Sequence, residues 1–366
     1  MKILLLESDY TTKFAPLGLM RISSMHKAKG DEIKYIKGIK NIRFKPDKIY
    51  LTTLFTYQYK EVIRTLRFYK KKYPNVDFLV GGILASTRPD LFKDEGVKVH
   101  IGLLPEAEKY PPDYSLFPDI NYSLSFMSKG CVNKCGYCLI PKFEGKLWHR
   151  DNWLQDINLK FKKIIFMDNN WLALNKDVWL EDVKKLRELK KQGINEIDIN
   201  QSVDCRYFNE EKAKELRGLP IRPIRFSFDH LGQDKKLQNA IKLAKKYKFS
   251  EVRVDVLYNW MDTPEDFYYR LKEICKLGAS AIPMKYAPLD KIDRTYLGKH
   301  WTEKERGSVQ RINPYPKGEI SSRTIGEFEM FFGKNAKEFK RLLNFDGIKK
   351  LNELKMEKLC KEKIWK

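Results

Sequence analysis

The sequence predicts an α/β protein built from parallel sheets, and three observations carry that reading. Short apolar strands alternate with amphipathic helices over residues 1–105, the alternation returns six times between residues 120 and 290, and a proline-rich stretch separates the two runs. At 366 residues the chain has room for both as separate folding units.

In the first run, Lys2–Leu6 reads as a buried strand and Gly18–Lys29 as a helix closed by Gly30. Strands follow at Glu32–Ile36 and Lys48–Leu54, then a helix at Tyr59–Lys72. Tyr73-Pro74-Asn75 marks a turn before the strand Val76–Val80, which Gly81-Gly82 ends, and Val97–Ile101 is the last strand. This pattern predicts a doubly wound, Rossmann-like parallel sheet over residues 1–105. Residues 106–119, with Pro111, Pro112 and Pro118, read as an extended linker.

In the second run the predicted strands are Tyr122–Met127, Lys163–Met167, Glu196–Asn200, Ile224–Asp229, Glu251–Leu257 and Ala281–Tyr286. Helices are predicted at Leu180–Gln192, Asn209–Arg217, Lys235–Lys246 and Pro264–Leu277, the last with Thr263 as its N-cap. Residues 291–366 form a basic, helical C-terminal extension in which Trp301, Arg311, Tyr315, Phe331 and Phe332 interleave rings with cations. That pattern suits either a surface for stacking bases or ordinary helix packing.

No apolar run reaches the ~18 residues of a membrane span. The opening Met-Lys-Ile-Leu-Leu-Leu-Glu is too short for a secretory leader. With Cys205, Cys275 and Cys360 scattered singly, a disulfide framework is disfavoured and a reducing cytoplasm is the expected compartment. Lys and Arg number 71 against 48 Asp and Glu, a formal charge of +23 that favours a polyanionic partner such as nucleic acid. Much of that charge lies in helical repeats such as Glu181–Lys191, where a solvated face explains it equally.

The densest chemistry lies in Gly130-Cys131-Val132-Asn133-Lys134-Cys135-Gly136-Tyr137-Cys138, three cysteines spaced Cys-x3-Cys-x2-Cys on a glycine-punctuated loop after a strand. Three thiolates on a tight loop can hold three corners of a cubane iron–sulfur cluster and leave the fourth iron open. Zinc is the competitor, in a protein whose zinc stabilises a nucleic-acid-binding fold. It wants four ligands, and only His149 stands near enough in sequence to be the fourth.

The triplet, with the aromatic Tyr137 directly before its third cysteine, resembles the signature of the radical S-adenosylmethionine (SAM) superfamily. The resemblance implies a [4Fe-4S] cluster on Cys131, Cys135 and Cys138, with SAM on the open iron and Tyr137 beside the adenine. One electron from the cluster, supplied by a donor such as flavodoxin or ferredoxin, then yields a 5′-deoxyadenosyl radical that abstracts hydrogen from an unactivated carbon. It further implies that the six strand–helix units of residues 120–290 form a partial (β/α)6 TIM-like barrel. The first domain resembles the cobalamin-binding-like domain preceding many such barrels, on Pro16-Leu17-Gly18-Leu19, Leu51-Thr52-Thr53 and Val80-Gly81-Gly82-Ile83. Members with histidine-liganded cobalt carry Asp-x-His-x2-Gly after the first strand, where this chain has Glu7-Ser8-Asp9-Tyr10-Thr11. A vestigial domain that covers the barrel or helps hold substrate is therefore favoured over bound cobalamin.

Barrel active sites gather at the carboxyl ends of the strands, and that rule assigns the remaining candidates. Asp168, Asn169 and Asn170 end the second strand, where the resemblance places the group holding the SAM amino end, although the usual glycines are missing. Asp204 and Arg206 follow the third strand. Ser227 and Asp229 lie on a polar face of the fourth that alternates with Ile224, Phe226 and Phe228, and Arg253 and Asp255 do the same on the fifth. Tyr286 ends the sixth. Internal ion pairing would account for several of these charges without any ligand. Cys205 is a candidate hydrogen donor, against the plainer reading of a buried cysteine. The expected substrate is a nucleic-acid base, with a peptide or small metabolite second, and cobalamin-dependent methyl transfer is the alternative chemistry.

Overall fold

The computed structural model describes residues 1–315, 318–321 and 324–364. The chain divides into two compact units, Met1–Ile165 with Pro288–Arg294, and Phe166–Ala287 with Thr295–Lys366.

In the first unit β1 (Lys2–Glu7), α1 (Leu17–Lys27), β2 (Glu32–Lys37), β3 (Lys48–Thr53), α2 (Tyr59–Lys72), β4 (Asp77–Gly82), α3 (Ile83–Thr87) and β5 (Lys98–Val99) follow in order. The strands form one parallel sheet in the order β2-β1-β3-β4-β5, in register through pairs such as Leu4↔Lys34 and Leu4↔Ile49. Because successive side chains of a strand point to opposite faces, the all-apolar β1 must be covered twice. Ile3 and Leu5 pack with Leu19 of α1, and Leu4 and Leu6 pack with Val62, Leu66 and Tyr69 of α2. Each fully buried aliphatic contributes about 1.5–3 kcal/mol relative to exposure. The strand order and the two covered faces are those of a doubly wound sheet, whose switch point lies between β1 and β3.

The segment after β5 is docked on that unit. Its two 3₁₀ turns, Ala107–Lys109 and Tyr114–Leu116, are fixed from α1: Arg21 donates to the Tyr110 carbonyl at 2.7 Å and Ser23 to Asp113 at 2.6 Å. The Tyr114 hydroxyl accepts the Leu124 N–H at 2.9 Å and donates to the Asp156 carbonyl at 2.7 Å. There follow β6 (Tyr122–Ser125), β7 (Ser128–Lys129), α4 (Ile140–Phe143), β8 (Trp148–His149) and β9 (Lys163–Phe166), with β6 beside β9.

The second unit continues through α5 (Lys176–Lys191), β10 (Glu196–Ile199), α6 (Glu210–Leu216), β11 (Ile224–Ser227), α7 (Lys236–Lys246), β12 (Val252–Tyr258), α8 (Pro264–Lys276) and β13 (Ser280–Lys285). The strands β11, β12 and β13 pair in that order and all parallel, with Ser227 opposite Asp255 and Val254 opposite Ala281. β10 reaches them through a parallel bridge between Ile197 and Ile221. The predicted period-two face holds on β12, where Val254 and Val256 are buried and Arg253 and Asp255 half-buried, but on β11 the polar face is buried at Arg225, which pairs with Asp198, and only Ser227 is half-buried. Asp229 lies in the loop beyond β11, two residues past the strand end at Ser227.

Beyond β13 come α9 (Glu303–Ile312), α10 (Ile325–Phe332), α11 (Ala336–Leu343) and α12 (Ile348–Ile364). Among the described residues, Trp301, Phe331 and Phe332 do not form the stacking surface considered for this region. Trp301, Phe331 and Phe332 are buried, Trp301 donates its indole N–H to the Asp262 carbonyl at 3.0 Å, and Phe332 stacks on Phe328 at 4.8 Å. Tyr315 donates to Glu327 at 3.0 Å. Hydrophobic burial took these rings into helix packing, as the amphipathic pattern equally allowed. No helix among the described residues is long and apolar enough to cross a membrane.

Candidate functional site

The three cysteines stand on a loop closed at its base by an antiparallel pair, with Ser128 of β7 opposite His149 of β8 and Lys129 opposite Trp148. The Cys131 N–H reaches the Gly145 carbonyl at 3.4 Å, and the Arg150 N–H donates to Met127 at 2.8 Å. Gly130 makes the entry possible. Its φ is +75°, and a Cβ there would lie 2.3 Å from the Lys146 carbonyl oxygen, so only glycine fits. The Gly130 N–H donates to Glu144 at 2.9 Å, which fastens the start of the loop to the far end of α4. Lys129 is buried beside it, 3.8 Å from Glu144 and 3.4 Å from the centre of the Phe126 ring, and burial lowers its pKa.

Within the loop, Cys138 donates its N–H to the Cys135 carbonyl at 3.0 Å, a tight turn that brings the last two cysteines to one end. Asn133 directs its backbone N–H at 3.4 Å and its side-chain amide at 3.7 Å to the Cys131 sulfur. Such donors favour a thiolate and tune any metal it binds. All three cysteines are outside any disulfide and of intermediate exposure, and Tyr137 is likewise half-buried. Among the described residues no three His, Cys, Asp or Glu side chains converge on one point, as a mononuclear ion would require. A cubane asks for something else, one thiolate for each of three irons, and a short loop of three cysteines suits that donor set. His149, the zinc alternative's fourth ligand, is 2.8 Å from Asp151.

The remaining candidates lie at or just past the carboxyl ends of their strands, except Arg253, which the strand-end rule misplaced because its strand runs on to Tyr258. Asp168 and Asn170 are buried just past β9, with Asn169 half-buried between them. Asn170 donates to Asp204 at 3.1 Å, and Asp204 takes the Arg206 guanidinium through two bonds of 2.8 Å. Asp168, Asn169, Asn170, Asp204 and Arg206 therefore share the ends of β9 and β10. Cys205, buried beside Asp204, has its thiol pushed up to about 12 by that burial, so it stays protonated and is a poor nucleophile or ligand.

At β11 and β12, Ser227 pairs across from Asp255, and Asp255 accepts the Ser202 hydroxyl at 2.7 Å. Burial, with the Asp229 charge nearby, raises the Asp255 pKa. Arg253 stands at the second residue of its strand, close to the amino end, and pairs with Glu251 and with Glu319 at 3.5 Å. Tyr286 follows β13, its ring 5.2 Å from Tyr296 and 6.4 Å from Trp260.

Several residues that shape this edge carried no sequence motif. Arg270 of α8 is fully buried and donates to the Phe228 and Leu257 carbonyls at 2.6 and 2.7 Å while pairing with Asp262, so one guanidinium holds the ends of β11 and β12. Gln233 accepts the Asp229 N–H at 2.6 Å and fixes that loop. Asn259, with φ of +67°, donates to the Tyr286 and Tyr296 carbonyls, and Ser202 also has positive φ at 71°. Buried polar residues of this kind leave no periodicity in a sequence. The backbone strain at Ser202 and Asn259, of order 1–3 kcal/mol each, is a feature that clusters at functional edges.

No described protein family matches the sequence, and no curated protein resembles it in sequence. Among solved structures, the chain resembles the radical SAM methyltransferase TsrM from Kitasatospora setae, solved with cobalamin and a [4Fe-4S] cluster. The TM-score is 0.62 and the identity 12%, over 79% of this chain and 77% of that one. A partial likeness to coproporphyrinogen III oxidase (HemN) from Escherichia coli, a radical SAM enzyme, has a TM-score of 0.36 and 18% identity over 48% of this chain and 46% of that one. At 12% identity the first likeness is one of architecture, shared over 79% of this chain.

Proposed function

We propose that the chain is a radical SAM enzyme carrying a [4Fe-4S] cluster on Cys131, Cys135 and Cys138. The observation that carries this is the Cys-x3-Cys-x2-Cys loop, pinned by Gly130 and Glu144 and with N–H donors aimed at the Cys131 sulfur. The shared architecture with TsrM supports it. When bound, a cluster with one open iron supplies the electron that cleaves the SAM sulfonium and leaves a carbon radical.

The chain's own residues supply binding, orientation and exclusion of water. The Asn133 donors on the Cys131 sulfur orient it as a ligand. Asp168, Asn169, Asn170 and Asp204 offer acceptors and an amide for an ammonium or ribose group, and the Arg206 guanidinium offers donors for a carboxylate. Ser227, Asp229 and Asp255 extend that polar edge, with Tyr286 as its aromatic member. Buried Phe226, Phe228, Val254 and Val256 line the opposite face, which keeps that side of the sheet dry. The charge of +23 supports a nucleic-acid base as the first substrate to screen.

A second reading, cobalamin-dependent methyl transfer, is favoured by the cobalamin-bound neighbour. The donor set of this chain bears on how a corrinoid would be held. The residues following β1, Ser8 to Thr12, include no histidine, and Glu7 at its end is engaged by Tyr35, Lys37 and Thr12. A corrinoid at the β1/β3 switch point would be held there without an imidazole from the β1 loop.

The test is anaerobic reconstitution with iron and sulfide, followed by mass spectrometry of SAM products with reductant, beside a Cys135→Ala control. The expected result is 5′-deoxyadenosine from the intact triplet alone. S-adenosylhomocysteine together with retained corrinoid would shift the reading to methyl transfer. Zinc without iron or sulfide, and no SAM cleavage, would overturn both.

A further inference from the structure

Beneath the cysteine loop the first unit buries a cluster of charges that neither domain's motifs anticipated. Arg21 of α1 and Arg150, which directly follows β8, are 1% and 2% exposed, and both donate to the same oxygen of the fully buried Asp156, at 2.7 and 2.8 Å. Ser125 of β6 donates to that oxygen as well, at 2.8 Å. Glu108 lies 3.9 Å from Arg21 and 4.0 Å from Arg150, too far for a hydrogen bond to either. Arg21 Nε, Arg150 Nη2, Glu108 Oε2 and Asp156 Oδ1 are buried and make no hydrogen bond within the protein. Charges so placed are only partly compensated, and in a poorly hydrated interior their field reaches further than at the surface.

The cluster is tied directly to the loop. Arg150 donates through Nη1 to the Phe126 carbonyl at 3.0 Å and through its backbone to Met127, the two residues that lead into β7. From Met127 to Cys131 is four residues, about 13 Å at the rise of a strand. We propose that Arg21, Asp156, Arg150 and Glu108 form an electrostatic base for the cysteine loop, positioning residues that set the reduction potential of the iron–sulfur cluster it carries. The proposal rests on the radical SAM reading above and adds to it a control from α1 and the docked segment of the first domain. Removing an anion from this base favours the more negative, reduced cluster and raises its potential, whereas removing a cation lowers it.

The experiment is an EPR-monitored redox titration of the reconstituted full-length protein, with melting temperatures measured in parallel. Glu108→Gln is the gentlest probe, since its side chain makes no hydrogen bond and the amide is isosteric. It is expected to raise the midpoint potential with little change in melting. Arg150→Gln is expected to lower the potential, and Arg150→Lys, which keeps the charge, to leave it near wild type while still lowering the melting temperature. A purely structural role would lower the melting temperatures without giving shifts of opposite sign. Shifts of the same sign, or none, in Glu108→Gln and Arg150→Gln overturn the proposal while the cluster itself stands. Should Arg150→Gln not fold, an unshifted Glu108→Gln suffices to overturn it. A wild-type protein that takes up no cluster overturns this proposal and the reading it rests on together.

Discussion

The two parallel sheets end their strands in opposite electrostatic states. At the carboxyl edge of β1 and β3 the one buried charge is met within the protein: Glu7 accepts from Tyr35 at 2.6 Å, Lys37 at 3.0 Å and Thr12 at 3.4 Å, and Thr53 donates to Gly81 while accepting from Ala85, although the buried Ser8 hydroxyl beside it has no hydrogen-bond partner. At the carboxyl edge of β11 and β12, half-buried Asp255 accepts one hydroxyl and has no ion pair among the described residues, although the Arg225 and Arg253 charges act on it. The cations of that unit are engaged elsewhere, Arg225 by Asp198, Arg206 by Asp204 and Arg270 by Asp262. The same strand–helix rule thus produces one edge closed on itself and another left polar. A half-buried carboxylate without an ion pair is a group that a bound cation or donor would compensate.

The strongest way to break that comparison is to remove what holds the second edge in shape. Arg270→Met deletes four bonds at once, to the Asp266, Phe228 and Leu257 carbonyls and to the Asp262 carboxylate, and leaves Asp262 buried without its cation. A loss of about 3–5 kcal/mol is expected in denaturant unfolding. A loss below about 1 kcal/mol would mean that the β11 and β12 ends do not depend on this guanidinium.

Two glycines separate structural from functional failure. Gly82 has φ of +102° and a Cβ there would lie 2.1 Å from the Thr53 carbonyl oxygen, while Gly130 has φ of +75° and meets Lys146 at 2.3 Å. Alanine at either costs about 1–3 kcal/mol in backbone strain, before the clash is counted. Both variants should melt lower, but only Gly130→Ala should fail to retain iron after reconstitution. Equal iron content in the two would show that the cysteine loop does not need this entry geometry. Glu7→Gln tests the closed edge more gently: it weakens the Lys37 contact of a buried carboxylate at about 1–3 kcal/mol, with no effect on iron uptake.

The contrast also explains what could be read in advance. Strand and helix positions were legible because burial on one or both faces imposes periods of two and 3.6, and Lys2–Glu7, Tyr59–Lys72 and Pro264–Lys276 follow those periods within a residue or two of expectation. The cysteine triplet was legible because its ligand spacing is local. Arg270, Gln233, Asn259 and the Arg21–Asp156–Arg150 cluster were not, since each acts by bonding to backbone or to partners far along the chain, as Arg21 and Asp156 do across 135 positions. The C-terminal aromatics show the limit from the other side. Rings beside cations read alike whether they stack on a ligand or on each other, and only burial distinguished them.

The smallest effect should be the most diagnostic. Burial raises the Asp255 pKa, so its ionised form is disfavoured in the folded state relative to the unfolded chain, where a carboxyl titrates near about 3.9. At pH below that value the residue is protonated in both states and contributes no difference. As pH climbs from there through the raised folded pKa, the unfolded chain releases its proton first, and the protein loses stability. Asp255→Asn keeps an acceptor for the Ser202 hydroxyl but has no proton to release. Its melting temperature should match wild type at pH below the unfolded carboxyl pKa and exceed it at neutral pH, while SAM cleavage falls. A variant less stable than wild type at neutral pH would mean that Asp255 already has its counter-charge within the protein, and the two edges would then be alike.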